Sequence, residues 1–109
     1  MSEVRLRPLA EADLAELTSY YRVEGGEELG ARFFDTAIDA LRMVGRMPGT
    51  GSLRIGELSG VPGLRSRRLA GFPCGWFYFE RDDYADVVRL LSYAQDLATM
   101  LGDVDQDDW

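Results

Sequence analysis

The hydrophobic pattern of this chain changes its period once, close to Gly49. From Pro8 to Pro48, apolar residues recur every three or four positions, which is the spacing of one helix face. From Leu64 onward they alternate or run together in short segments bounded by glycine, proline and aspartate, which is typical of strands. A helical first half followed by a strand-rich second half predicts an α+β fold, in which helices cover one face of a sheet.

Two helices are predicted in the first half. The first has Leu14, Leu17 and Tyr21 on one face and ends at the glycines of positions 25–26. The second ends near Pro48, and its wide apolar stripe consists of Leu29, Phe33, Phe34, Ala37, Ile38, Leu41 and Val44. Because only two or three residues join the helices, they are expected to return antiparallel as an αα-hairpin that needs cover from a sheet.

The strands are expected on both sides of this hairpin. The N-terminal "EVRLRP" predicts a short strand with Val4 and Leu6 on one face and Arg5 and Arg7 on the other. The segments "GLRSRRLAG", "GWFYFERD" and "ADVVRLLSY" predict a meander of three antiparallel strands. "LRIGEL" fits a short strand or an irregular arm, and "AQDLATML" a final short helix. We therefore expect one domain over residues 1–102 and an acidic, frayed tail over 103–109.

Composition restricts the chemistry. The chain has 109 residues, a net charge of −7 and no histidine, and all 12 of its basic residues are arginines. Without histidine, a Ser–His or Cys–His pair is excluded, and with Cys74 as the only cysteine so is the usual zinc site. No metal or cofactor is therefore expected. The acidic balance disfavours a general or sequence-specific nucleic-acid binder.

The sequence also indicates a compartment. No apolar run reaches the roughly 20 residues that a membrane span needs, and the first residues alternate and include acids. A single cysteine fits a reducing environment. We expect a cytoplasmic protein without a membrane partner.

The chain resembles the ParE branch of the RelE/ParE toxins of bacterial type II toxin–antitoxin systems, from about Val4 to Leu101. The resemblance rests on "AEADLAELTSYY" in the first helix, "MPGTG" after the second, "LRSRRLAGFP" leading into "WFYF", and "VVRLLSYAQDL" near the end. It implies an αα-hairpin on a curved antiparallel sheet with a short C-terminal helix. It also implies a ParD-like antitoxin as partner in a hetero-oligomer and, for ParE-type members, inhibition of DNA gyrase by binding.

Two alternatives come with the same resemblance. RelE-type members cleave mRNA on the ribosome, and Arg65, Arg67, Arg89 and Tyr93 would form such a site here. The positions that commonly hold a histidine and basic residues before Asp96 read "SYAQ", which argues against cleavage because a scissile phosphate needs positive groups and a proton acceptor. No firm catalytic residue is therefore assigned, and the chain is more simply a binding protein than an enzyme. The other alternative is a non-toxic protein that binds antitoxin only.

Partner contacts are predicted from charge and alternation. Arg65 and Arg67 share one strand face and Arg68 the other, where they would pair with acidic antitoxin side chains or remain solvated. Arg89 interrupts an apolar strand, so it needs either a carboxylate inside the fold or an open site. Three aromatic residues complete the predicted partner surface; these are Tyr20, which is first a core candidate, and Trp76 and Tyr78, provided that both face away from the hairpin.

Overall fold

The computed structural model describes residues 2–105, so the predicted tail falls outside it from Gln106 onward. The elements in chain order are β1 (Glu3–Leu6), α1 (Pro8–Arg46), a 3₁₀ turn (Pro48–Thr50), α2 (Arg54–Leu58), β2 (Leu64–Arg68), β3 (Cys74–Glu80), β4 (Tyr84–Ser92) and α3 (Leu97–Met100). This order confirms the α+β class and the final short helix. The segment "LRIGEL" is neither strand nor irregular arm, because it forms α2.

The helical segment α1 is a hairpin of two arms, 8–25 and 27–46. Gly26 separates the arms with a φ of 90°, a conformation that glycine adopts without strain. The rings of Tyr21 and Phe33 lie 4.7 Å apart, whereas twelve residues of straight helix span about 18 Å. A Cβ at Gly30 would lie 2.9 Å from the Cβ of Arg22, so glycine also lets the arms approach closely. The predicted reversal at the glycine pair is confirmed.

The sheet has the strand order β1-β4-β3-β2. The β2/β3 and β3/β4 pairs are antiparallel, as the meander predicts. β1 is parallel to β4, with Glu3 opposite Tyr84 and Leu6 opposite Val87, so the sheet is mixed rather than wholly antiparallel. A parallel pair needs a long crossover, which the helix hairpin and the meander supply, and alternation within a strand carries no information on direction.

Both faces of the sheet are covered. One face packs on the helix hairpin, and its core includes Phe33, Trp76, Tyr78 and Val87. The opposite face carries Phe77 and Phe79, and α2 and residues 97–104 cover it; the other buried members of this second core are Val61, Leu64, Val88, Leu91, Leu101 and Val104. Burial of apolar surface on both faces explains why β3 is apolar along nearly its whole length.

A register shift between β3 and β4 changes which residues of β4 face each of these two cores. Phe77 pairs with Arg89 and Tyr78 with Val87, so one residue of β4 is extra at this point. Regular alternation would place Leu90 on the face opposite Val87, yet both belong to the core beneath the hairpin. The irregularity therefore moves Leu90 under the helices and leaves Arg89 at the start of the shifted segment.

Arg7 is buried, although alternation placed it on the same strand face as Arg5, which is exposed. Its side chain donates from Nε and Nη2 to the two oxygens of the buried Asp86 carboxylate, at 3.0 and 2.8 Å. Its Nη1 also donates to the carbonyl oxygen of Val104 at 2.9 Å. The physical reason is that residues 97–104 cover this side of the sheet. Ordered contacts therefore extend beyond the predicted boundary at residue 102.

Candidate functional site

A groove with a volume of about 620 Å³ lies along the outer strand β2. Its lining residues are Thr50, Ser52, Ile55, Ser66, Arg67, Arg68, Tyr93 and Leu97. Three of the predicted site residues, Arg67, Arg68 and Tyr93, therefore meet in one place. The polar side chains of Thr50, Ser52 and Ser66 were not predicted, because nothing distinguishes them from ordinary loop and strand residues in the sequence.

The groove is built on backbone pairing between the loop after the helix hairpin and β2. Ser52 and Ser66 exchange both backbone hydrogen bonds, at 2.9 and 2.8 Å. Tyr78 holds the same loop from beneath, because its hydroxyl donates to the carbonyl oxygen of Pro48 at 2.7 Å and accepts from the Gly51 backbone N–H at 3.1 Å. Pairing of the loop also covers part of an edge strand that would otherwise be open.

The arginines of β2 divide as alternation predicts. Arg65 and Arg67 reach the loop on one side: Arg65 donates to the carbonyl oxygen of Gly51 at 2.9 Å, and Arg67 donates to the hydroxyl of Thr50. Arg65 also lies 3.6 Å from Glu80. Arg68 is exposed and extends from the other face of the strand, with its guanidinium 5.1 Å from the ring centroid of Tyr93, and it lines the same groove as Arg67 at the strand edge.

Tyr93 closes one end of the groove. Its hydroxyl lies 3.2 Å from that of Ser66, and its ring contacts Phe77 edge-on with centroids 6.3 Å apart. A Cβ at Gly75 would overlap the Tyr93 hydroxyl, so a glycine is required opposite it. Burial raises the pKa of Tyr93, although the hydrogen bond with Ser66 and the charge of Arg68 act in the opposite direction. The hydroxyl is therefore protonated at neutral pH and is not available as a base there.

Arg89 lies outside this groove and belongs to an ion pair within the fold. Its Nε and Nη2 donate to both oxygens of Asp13, at 2.7 and 2.9 Å, and the Leu90 backbone N–H donates to the same carboxylate at 3.0 Å. The hydrogen bond to Asp13 raises the pKa of Arg89, which opposes the effect of burial. Of the two outcomes predicted for Arg89, the internal carboxylate partner is the one observed.

Trp76 and Tyr78 do not face a partner, which corrects the sequence prediction. Both side chains are fully buried beneath the helix hairpin, and the Trp76 indole donates to the carbonyl oxygen of Ala37 at 2.9 Å. Alternation assigns the aromatic residues of β3 to two faces, but it does not say which face meets the helices. Tyr20, in contrast, is 54% exposed and contacts Tyr21 edge-on, with ring centroids 5.1 Å apart.

The described residues give little support to catalysis by a cysteine nucleophile or to metal binding. Burial raises the pKa of the Cys74 thiol to about 11, so it is a poor nucleophile at neutral pH. Within residues 2–105, no group of three or more histidine, cysteine, aspartate or glutamate side chains is arranged to bind a metal ion. The same part of the chain contains no helix with the length and apolar character that a bilayer span requires.

The fold has a counterpart among solved structures. It is similar to a chain of the structure described as the chromosomal ParDE TA system from P. aeruginosa, with a TM-score of 0.71 and 20% sequence identity. The similarity covers 84% of this chain and 96% of the other. At this identity, the likeness establishes a shared fold of helix hairpin and sheet.

The family follows from the sequence itself. The model of the family described as the ParE toxin of the parDE type II toxin–antitoxin system matches residues 4–97. The chain therefore belongs to the ParE toxin family of type II toxin–antitoxin systems, as the resemblance indicated. A comparison with curated proteins gave no match.

Proposed function

We propose that this chain inhibits DNA gyrase by protein binding and is neutralised in the cytoplasm by a ParD-like antitoxin, with which it forms a hetero-oligomer. Membership of the ParE family and a fold shared with a chain of a ParDE system support this proposal. The proposal assigns no cofactor and no chemical step to the chain. Under this proposal the toxin acts by binding its target and does not cleave RNA.

The observation that carries the proposal is the lack of a proton acceptor in the groove. Cleavage of RNA by its own 2′-hydroxyl needs a base for that hydroxyl and positive groups at the phosphate. The groove offers guanidiniums, aliphatic hydroxyls and a phenol whose pKa is raised, and no carboxylate of the described residues, 2–105, lines it. The chain has no histidine to supply the base. The groove can therefore bind an anion, but it is poorly equipped to remove a proton.

One observation favours mRNA cleavage as a second candidate. Arg67, Arg68 and Tyr93 meet in the groove, and a protonated tyrosine can serve as a general acid. The other two residues predicted for this activity are already engaged, because Arg65 contacts Gly51 and Glu80 while Arg89 is held by Asp13. A nuclease site here would therefore be incomplete.

The first experiment is inducible expression in a bacterial host that carries a DNA-damage reporter, followed by a supercoiling assay with purified gyrase. We expect growth arrest with filamentation and reporter induction, and loss of supercoiling with the purified chain. Coexpression of the antitoxin encoded beside this gene should restore growth. Tyr93→Phe is the matched variant, since it removes only a hydroxyl and is expected to retain toxicity.

Other outcomes would redirect the assignment. Arrest without reporter induction, together with cleavage of ribosome-bound mRNA that Tyr93→Phe abolishes in a folded protein, would replace gyrase inhibition by endonuclease activity. Normal growth in the presence of soluble, folded protein would leave antitoxin binding as the remaining activity.

A further inference from the structure

The arginines near the groove differ in whether the fold already uses them. Arg65 donates to the Gly51 carbonyl oxygen and lies near Glu80, and Arg89 makes two hydrogen bonds to Asp13. Both guanidiniums therefore have oxygen partners within the chain. Neither offers an open pair of donors to a ligand.

Neither Arg67 nor Arg68 forms an ion pair with a carboxylate among residues 2–105. Arg67 donates to the neutral hydroxyl of Thr50, while its Nε is covered and has no hydrogen-bond partner among residues 2–105. Arg68 lies over the Tyr93 ring, and within the described part of the chain no carboxylate forms an ion pair with it. Both guanidiniums line the groove and carry positive charge that no carboxylate among residues 2–105 neutralises, so an anion in the groove would be stabilised by them.

The shape and charge of the groove favour a carboxylate over a nucleic acid. A base would need an open aromatic face, but Arg68 covers one side of Tyr93 and Phe77 contacts its ring. The chain as a whole carries −7, which repels a polyanion and has less effect on a single carboxylate of a peptide. Arginine side chains also match the planar carboxylate through paired hydrogen bonds.

We infer that the groove binds an aspartate or glutamate side chain of the antitoxin, held by the guanidiniums of Arg67 and Arg68 beside the hydroxyls of Ser66 and Tyr93. The inference rests on the proposed function, because it takes the antitoxin to be the partner. It assigns the contact to two of the predicted arginines and excludes Arg65 and Arg89 from it.

The test is titration calorimetry of the purified chain with the purified antitoxin encoded beside its gene, at low and at high NaCl. We expect Arg67→Ala and Arg68→Ala each to weaken binding by about 10- to 100-fold at low salt, the usual loss for a hydrogen bond to a charged group. Both variants should also show a weaker dependence of affinity on salt. Arg32→Ala is the matched control, since it removes an exposed arginine of the hairpin that has no ion pair among residues 2–105.

Two further measurements keep the test decisive. Circular dichroism verifies folding, and Arg68→Ala is the safer variant because the Arg68 side chain makes no hydrogen bond to residues 2–105. Aspartate-to-asparagine and glutamate-to-glutamine changes along the antitoxin should reveal one position whose effect disappears in the Arg68→Ala background.

The results that overturn the inference can be told apart. Equal affinity of wild type, Arg67→Ala and Arg68→Ala for the antitoxin overturns the groove assignment and leaves the antitoxin partnership intact. A wild-type chain that binds no antitoxin even at low salt overturns both. Tight binding of a labelled single-stranded RNA that both variants lose, with antitoxin affinity unchanged, would make the groove a nucleic-acid site.

Discussion

Two sets of arginines in this chain have opposite roles. Arg7, Arg81 and Arg89 are paired with carboxylates that the fold itself supplies, and two of those pairs share the fully buried Asp86. Arg67 and Arg68 line an open groove, and neither forms an ion pair with a carboxylate among residues 2–105. The difference shows that an arginine-rich segment does not by itself mark a binding site. A candidate site is marked where guanidiniums that lack an internal anion meet in one groove, as Arg67 and Arg68 do.

The largest loss of stability is expected from Asp86→Ala. This change removes the carboxylate that accepts two hydrogen bonds from the buried Arg7, and breaking one side of a buried ion pair costs about 3–5 kcal/mol. Urea unfolding measures the effect. Asp39→Ala is the control, because the Asp39–Arg42 pair is exposed on the helix and contributes about 0.3–0.5 kcal/mol. Similar losses for the two variants would contradict the distinction between buried and exposed pairs.

A smaller loss is expected from Arg89→Ala, about 1.5–3 kcal/mol, because hydrogen bonds to the partly buried Asp13 are lost while the Leu90 N–H still donates to it. The measurement pairs thermal unfolding with antitoxin affinity below the unfolding transition. We expect a lower Tm and unchanged affinity. A change in affinity with unchanged Tm would move Arg89 from the structural set to the binding set.

The dependence of stability on pH should report on the same buried pair. Burial, the strongest influence on the Asp86 carboxyl, would raise its pKa, but the hydrogen bonds and charges of Arg7 and Arg81 outweigh burial, so the pKa lies below its ordinary value. A folded-state pKa below the unfolded one gives stabilisation that is complete above the unfolded value of 3.8 and lost as pH falls through the folded value.

We therefore expect the free energy of unfolding of the wild type to fall with acidification below about pH 5, and that of Asp86→Asn to fall less steeply. Urea titrations across this range measure both slopes. Because the other carboxylates titrate in both proteins, the difference between the slopes isolates Asp86. Identical slopes would show that Asp86 does not depend on its arginine partners.

The smallest change in stability is expected from Arg68→Ala, less than about 1 kcal/mol, because its contact with Tyr93 is an exposed cation–π interaction. Urea unfolding should detect little change, while antitoxin binding weakens as described above. A large loss of stability would place Arg68 with the structural arginines and remove the contrast between the two sets.

Much of the architecture was predictable because it depends on local patterns. The helical period and the glycines of positions 25–26 predicted the hairpin, and alternation predicted the division of Arg65 and Arg67 from Arg68. The position of Arg89 within an apolar strand predicted that it would need either a carboxylate partner or an open site. In each case the signal lies within one element and its neighbours in the chain.

The errors concern relations between elements. The side of β3 that meets the hairpin, and hence the burial of Trp76 and Tyr78, depends on how the whole sheet is oriented. The burial of Arg7 depends on residues 97–104, and the short helix α2 depends on its packing beneath β2 rather than on a clear periodicity.

The sequence by itself therefore determined every main element except α2, the residues that alternate together and the family of the protein. Only the tertiary structure decided which arginines the fold uses for its own ion pairs, since this depends on carboxylates far away in the chain. Asp86 lies 79 residues from Arg7, and Asp13 lies 76 residues from Arg89. Local sequence patterns do not encode such pairings, because they arise when separate elements pack together.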